Sequence, residues 1–167
     1  MRSSAAARIA RRRGFTLLEL LAVVFVVGIL SSMLVVVAWP SDAAGADKEA
    51  RRLAALFELA LAEARANGQR IAWSPEGNGY SFWQRTEDGD WARFPDTSPY
   101  RRRSFGGTIE LREVLVDARA LQSGDRIVLL PYGFRSAIEM TIHGGGTQFI
   151  LRGGVLGRIS VQRIHAG

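Results

Sequence analysis

A single carboxylate at the mouth of a long apolar run limits what this chain can become more than any other feature. Glu19 follows Arg11-Arg12-Arg13-Gly14-Phe15-Thr16-Leu17-Leu18, and no further ionisable residue occurs until Asp42. From Leu20 to Trp39 there are roughly 20 residues, which at the helical rise match a hydrocarbon layer about 30 Å thick. Residues 15–39 are therefore expected to form a membrane-spanning helix. A carboxylate in such a segment costs on the order of 2.5–3.5 kcal/mol at mid-bilayer and less near the interface, so Glu19 calls for a partner. The next basic residue on the C-terminal side is Lys48, far along the chain.

Scission of the backbone would supply one. If the chain is cut between Gly14 and Phe15, the new α-amino group of Phe15 lies one helical turn before Glu19, about 6 Å away along the axis. The same two groups can pair between neighbouring subunits that stack with a small axial offset. Gly14-Phe15-Thr16-Leu17-Leu18-Glu19-Leu20 resembles the type III signal sequence of type IV pilins and type II secretion pseudopilins. The shared features are a short basic leader, Gly before the cut, Phe as first mature residue and Glu as fifth. The resemblance implies that a membrane prepilin peptidase removes residues 1–14 and methylates the Phe15 nitrogen, and that Glu19 then guides assembly. The alternative is an ordinary signal-anchor helix with a chance Glu.

Charge supports the same division. The formal charge of +6 first points to nucleic acid or a membrane surface. However, Arg2, Arg8, Arg11, Arg12 and Arg13 all precede Gly14, and losing them takes 22 basic residues to 17 against 16 acidic ones. Arginines ahead of an apolar run hold that end in the cytoplasm and send the C-terminal remainder outward. The expected location is thus the bacterial inner membrane, single-pass, with the C-terminal domain in the periplasm. With no cysteine, thiol catalysis and thiolate metal sites are excluded, and the domain relies on its core. Ala43-Ala44-Gly45-Ala46 superficially suits a secretory cleavage site, but the apolar run exceeds the usual 7–15 residues or so and would contain Glu19.

Past the apolar run, Pro40 breaks the helical hydrogen-bond ladder, and with Ser41-Asp42 and Gly45 it predicts a kink or unwound joint. From Asp47 the pattern is amphipathic: Ala50, Leu53, Leu56, Phe57, Ala60, Leu61 and Ala64 recur every three or four residues. This predicts a continuing helix over 40–68, stopped by Asn67-Gly68, with its stripe buried on the domain's own sheet. Residues 69–167 read as a β domain. Candidate strands are Arg70–Ser74, Tyr80–Arg85, Trp91–Phe94, Thr108–Leu111, Arg126–Leu130, Ile138–His143, Thr147–Arg152 and Val155–Val161. Glu87-Asp88-Gly89-Asp90 makes a hairpin turn, Pro95–Arg103 a loop, and Glu113–Leu121 either a short helix or a strand.

The fold class is accordingly α+β and pilin-like, a long N-terminal helix whose second half packs on an antiparallel sheet. Ile127-Val128-Leu129-Leu130-Pro131-Tyr132-Gly133-Phe134 resembles the signature of the H-type (GspH/FimT-like) minor pseudopilins. Leu53–Gln69 with Ile71-Ala72-Trp73 is similar to that branch as well, as is Gly153-Gly154-Val155-Leu156-Gly157-Arg158. The resemblance implies a minor pseudopilin linking the tip complex to the shaft, so that folded proteins pass the outer membrane. Its implied partners are the tip minor subunits, the major shaft subunit, the prepilin peptidase, the inner-membrane assembly platform and membrane lipid. A minor type IV pilin acting in assembly, adhesion or DNA uptake is the alternative.

Little points to catalysis. His143 and His165 are the only histidines, no nucleophile or phosphate-loop motif accompanies them, and neither an enzyme nor a cofactor is expected. Glu87-Asp88-Gly89-Asp90 offers oxygen ligands of the kind calcium takes, but matches no complete loop. Arg101-Arg102-Arg103 beside Tyr100 and Phe105 is the one candidate surface for nucleic acid, through guanidinium–phosphate pairing and base stacking; a solvated loop is the plainer reading.

Overall fold

In the computed structural model the backbone is described for residues 16–38 and 42–165, and side chains for 16–29 and 42–164. The chain divides into two units, the first ending at Trp39 and the second beginning at Pro40. Pro40 itself, with its expected joint, lies outside the described residues. The first unit contains α1 (Leu17–Ala38), whose described side chains, Leu17 to Ile29, are all exposed. Among the residues described in full no helix is long and apolar enough to cross a membrane, the described side chains of α1 stopping at Ile29.

α2 (Asp42–Asn67) begins the second unit. Its buried residues are Ala46, Ala50, Leu53, Leu56, Phe57, Ala60, Leu61 and Ala64, so the apolar stripe faces the core as its spacing predicts. Gly45 is part of this helix and not of an unwound joint, packed so closely under Ile109 that a Cβ would stand 2.9 Å from Ile109 Cδ1. At the far end Gly68 takes φ 64° and donates its N–H to the Ala64 carbonyl at 3.0 Å. A left-handed residue here satisfies one of the last orphan carbonyls and turns the chain out of the helix.

Eleven strands come next among the described residues: β1 (Ile71–Pro75), β2 (Gly79–Arg85), β3 (Trp91–Arg93), β4 (Arg103–Ser104), β5 (Glu110–Val116), β6 (Arg119–Ala120), β7 (Ile127–Leu130), β8 (Gly133–Phe134), β9 (Ile138–Gly144), β10 (Thr147–Gly153) and β11 (Ile159–His165). They form two antiparallel sheets where one was expected. The first runs β3-β2-β1-β7-β8 with β4 also on β2, and the second β11-β10-β9-β5-β6. One core draws on α2 and both sheets, with Phe57 at its centre: its ring lies 5.8, 5.7 and 5.6 Å from those of Trp73, Phe82 and Phe134. The β9–β10 turn presses on the first turn of α2. A Cβ on Gly144 would meet the Asp42 carbonyl oxygen at 2.7 Å, and one on Gly145 the Ala43 nitrogen at 2.6 Å. Only residues without a side chain permit backbone to approach backbone so closely.

Three regions differ from the sequence expectation. Glu113–Leu121, open between helix and strand, is the end of β5, a tight turn and β6. A bulge shifts the β5–β9 register between Leu111 and Glu113, so the partly buried Leu111 and Val114 stand three apart, a helix-like spacing in a strand. Asp117 and Ala118, at φ 50° and 61°, make the two-residue turn, and the Asp117 carboxylate accepts the Ala137 N–H at 3.1 Å. The expected strand over Val155–Val161 begins only at Ile159. Before it Gly154–Arg158 is a turn, with Gly154 N donating to the Arg158 carbonyl at 3.0 Å, and β11 runs on to His165. The Pro95–Arg103 loop ends one residue early, since Arg103 pairs with Tyr80 in β4.

Candidate assembly site

Gly14 and Phe15, the expected cleavage and methylation residues, lie outside the described residues. Glu19 is described, in the first turn of α1. The Thr16 carbonyl accepts the backbone N–H groups of Glu19 and Leu20 at 3.0 and 3.2 Å, and the Thr16 hydroxyl accepts the Glu19 N–H at 3.3 Å. Thr16 is therefore the N-cap and Glu19 the third helical residue, the Thr-x-x-Glu spacing that starts helices. A carboxylate there also faces the positive end of the helix dipole. Sequence reasoning treated Glu19 only as a partner for the Phe15 amine, within or between subunits, and missed Thr16, although the spacing was there to be read. Glu19, Ala22, Val23, Val26 and Val27 share one exposed face, a carboxylate heading an apolar stripe.

The other candidates are structural. Tyr100 and Phe105 are 2% and 8% exposed and belong to the core, Tyr100 against the rings of Phe82 and Phe94 at 5.3 and 4.8 Å. They are not available to stack bases. Two of the three adjacent arginines are paired: Arg102 Nε lies 3.5 Å from Glu76 Oε2, and Arg103 Nη2 lies 3.5 Å from Glu49 Oε1. Glu76 also accepts from the Ser81 hydroxyl and from Arg93. The Ser81 hydrogen bond, helped by the Arg93 and Arg102 charges against some burial, holds its carboxyl below the usual carboxylate range. Burial and the nearby Glu49 push the Tyr80 phenol up to about 12.

Glu87-Asp88-Gly89-Asp90 closes the β2–β3 hairpin. Gly89 N donates to the Thr86 carbonyl at 3.0 Å, and Asp90 N to the Thr86 hydroxyl at 3.0 Å. Among the described residues no group of three or more acidic or imidazole side chains converges to hold a metal. His143 stands half-buried on β9 opposite Glu110 and Gln148, and the backbone of His165 pairs with Thr147.

Comparison with known proteins bears on both units. The family model described as type II transport protein GspH matches residues 49–162, and that of the prokaryotic N-terminal methylation motif matches residues 9–35. Among solved structures, the minor pseudopilin EpsH from the type 2 secretion system of Vibrio cholerae superposes with a TM-score of 0.58 at 15% identity, over 70% of this chain and 95% of that one. At that identity the likeness establishes the fold. No curated protein sequence matches significantly. With the family model covering most of α2 and nearly all of both sheets, the chain belongs to the GspH family of type II transport proteins.

Proposed function

We propose that this chain is a structural subunit and not an enzyme: a minor pseudopilin of type II secretion that joins a periplasmic pseudopilus and links its tip complex to its shaft. The observation that carries the reading is the order of the parts. A methylation motif over 9–35 precedes the GspH region over 49–162, and Glu19, the one charge in α1, heads an exposed apolar helix. In this reading the prepilin peptidase cuts after Gly14 and methylates Phe15, and residues 15–39 hold the subunit in the inner membrane with 40–167 in the periplasm. The Phe15 ammonium of one subunit and Glu19 of its neighbour then pair as the assembly platform raises the filament. Pairing offsets the cost of a carboxylate in lipid, which an unassembled subunit bears alone. The matching family is one of type II transport, which does not favour the type IV pilus alternative.

Intact mass of the protein purified from native membranes tests the processing step. A chain starting at N-methylated Phe15 is expected; one that retains its arginine-rich leader, or starts near Ala44, overturns the proposal. Replacing Gly14 with Val should leave the leader attached, since a branched side chain obstructs the cut.

A further inference from the structure

The face of the first sheet turned away from α2 carries a groove that neither the processing motif nor the core requires. Arg70, Arg85, Trp91, Val128, Leu130 and Tyr132 enclose about 550 Å³ there. Its floor is apolar, because Val128 and Leu130 are the half-buried members of a strand whose other residues, Ile127 and Leu129, point into the core. Its walls are aromatic: Tyr132 is 74% exposed, and its turn is held from behind by Arg65, whose Nε donates to the Pro131 carbonyl at 2.6 Å. The Arg85 guanidinium lies 5.2 Å from the centroid of the Trp91 ring.

The described arginines fall into two groups, and Arg70 and Arg85 belong, with others such as Arg52, Arg101 and Arg126, to the group without a carboxylate partner. Arg51, Arg93, Arg102, Arg103, Arg112 and Arg152 each have a carboxylate partner. Among the described residues Arg70 and Arg85 have none. A guanidinium laid against an aromatic ring is pre-positioned and still offers its fork of N–H donors, the form in which arginine recognises a carboxylate. Trp, Tyr and Arg beside an apolar floor are also the residues that dominate binding energy at protein interfaces. The groove crosses the sheet from β3 through β2 and β1 to β7. Three inter-strand spacings are about 14 Å, the length of about four residues of extended chain.

We propose that this groove receives an extended, carboxylate-bearing segment of another protein, with an apolar side chain on Val128 and Leu130 and the carboxylate held by Arg70 and Arg85. Charge complementarity selects this occupant over nucleic acid. The adjoining hairpin turn exposes Glu87, Asp88 and Asp90, which repel a backbone carrying a phosphate every few ångströms, whereas a lone carboxylate seated between two guanidinium groups tolerates them. The inference goes beyond the pseudopilin reading and stands whether or not Phe15 is processed.

The test uses the full chain in detergent micelles and fluorescence anisotropy. Its probe is a pool of N-acetylated, C-amidated, fluorescein-labelled pentapeptides with Glu at the third position and Leu, Ile, Val or Phe at the others. A second pool carries Gln in place of Glu. Saturable binding of the Glu pool is expected, weaker by about tenfold or more for the Gln pool and for the Arg70→Gln/Arg85→Gln variant, with Tyr132→Ala also weakened. All three residues are on the surface, and an unchanged urea midpoint confirms that each variant is folded. Equal binding of the two pools, undiminished binding by the double arginine variant, no saturation up to millimolar peptide, or tighter binding of a twelve-nucleotide thymidine strand would each overturn the proposal.

Discussion

α1 and α2 are helices of similar length, 22 and 26 residues, and they distribute their apolar side chains in opposite ways. α2 gathers them on one stripe and buries it against its own sheets, so its partner is in the same chain. α1 is apolar all round and exposes every described side chain, Leu17 and Leu18 at 84% and 78%. A helix with no preferred face is satisfied by a surrounding medium of lipid or like helices rather than by one sheet. The difference teaches that the free energy of α2 resides within the fold, whereas the proposed function places that of α1 in assembly.

Substitutions can break that division. The largest effect is expected from Phe57→Ala, which removes the ring that packs α2 against Trp73, Phe82 and Phe134 of the first sheet and should cost about 3–5 kcal/mol, read as a lower urea midpoint by circular dichroism. An unchanged midpoint would mean that α2 is not seated as described. Glu19→Ala should leave the midpoint and leader cleavage intact, yet reduce the subunit recovered in sheared pseudopili about tenfold or more, an effect on the order of 2 kcal/mol. Normal incorporation would remove the pairing role, and a lowered midpoint would show that α1 contributes to the domain. Gly68→Ala puts a methyl on a left-handed residue and should destabilise by about 1 kcal/mol; no change would mean that α2 does not need this stop.

The smallest effect sharpens the comparison by pH. The folded pKa of Glu76 lies below its unfolded value, so its contribution is present above the unfolded value and is lost as pH falls through the folded one. Glu76→Gln should therefore flatten the acid limb of the stability curve, by less than about 1 kcal/mol for so accessible a cluster. Tyr80 works in the opposite sense: raised to about 12, it contributes below the unfolded phenol pKa and loses that contribution between roughly 10 and 12. Tyr80→Phe should weaken the alkaline decline.

The stripe of α2 was legible because a period near 3.6 with one wet face has few other readings. The strands with clean alternation, such as Ile138–Gly144, were legible for the same kind of reason. β5 was not, because its bulge replaces a spacing of two by one of three. The start of β11 was misplaced because Val155 and Leu156 look like strand residues but sit exposed in a turn, at 56% and 83%. At the candidate assembly site Glu19 was legible as a lone charge, and Thr16 as its cap only through spacing. The groove was not legible at all, since its residues run from position 70 to 132 and meet only when β3, β2, β1 and β7 lie side by side.

The glycine contact between the β9–β10 turn and the first turn of α2 has a mechanical consequence. Load arriving along the chain at residue 42 meets backbone seated on backbone, with no flexible side chain between to yield. Within the second unit, a force applied at Asp42 is thus delivered to the second sheet through a stiff contact. A methyl group at Gly144 or Gly145 would act as a wedge in that contact, loosening transmission before it loosened the core.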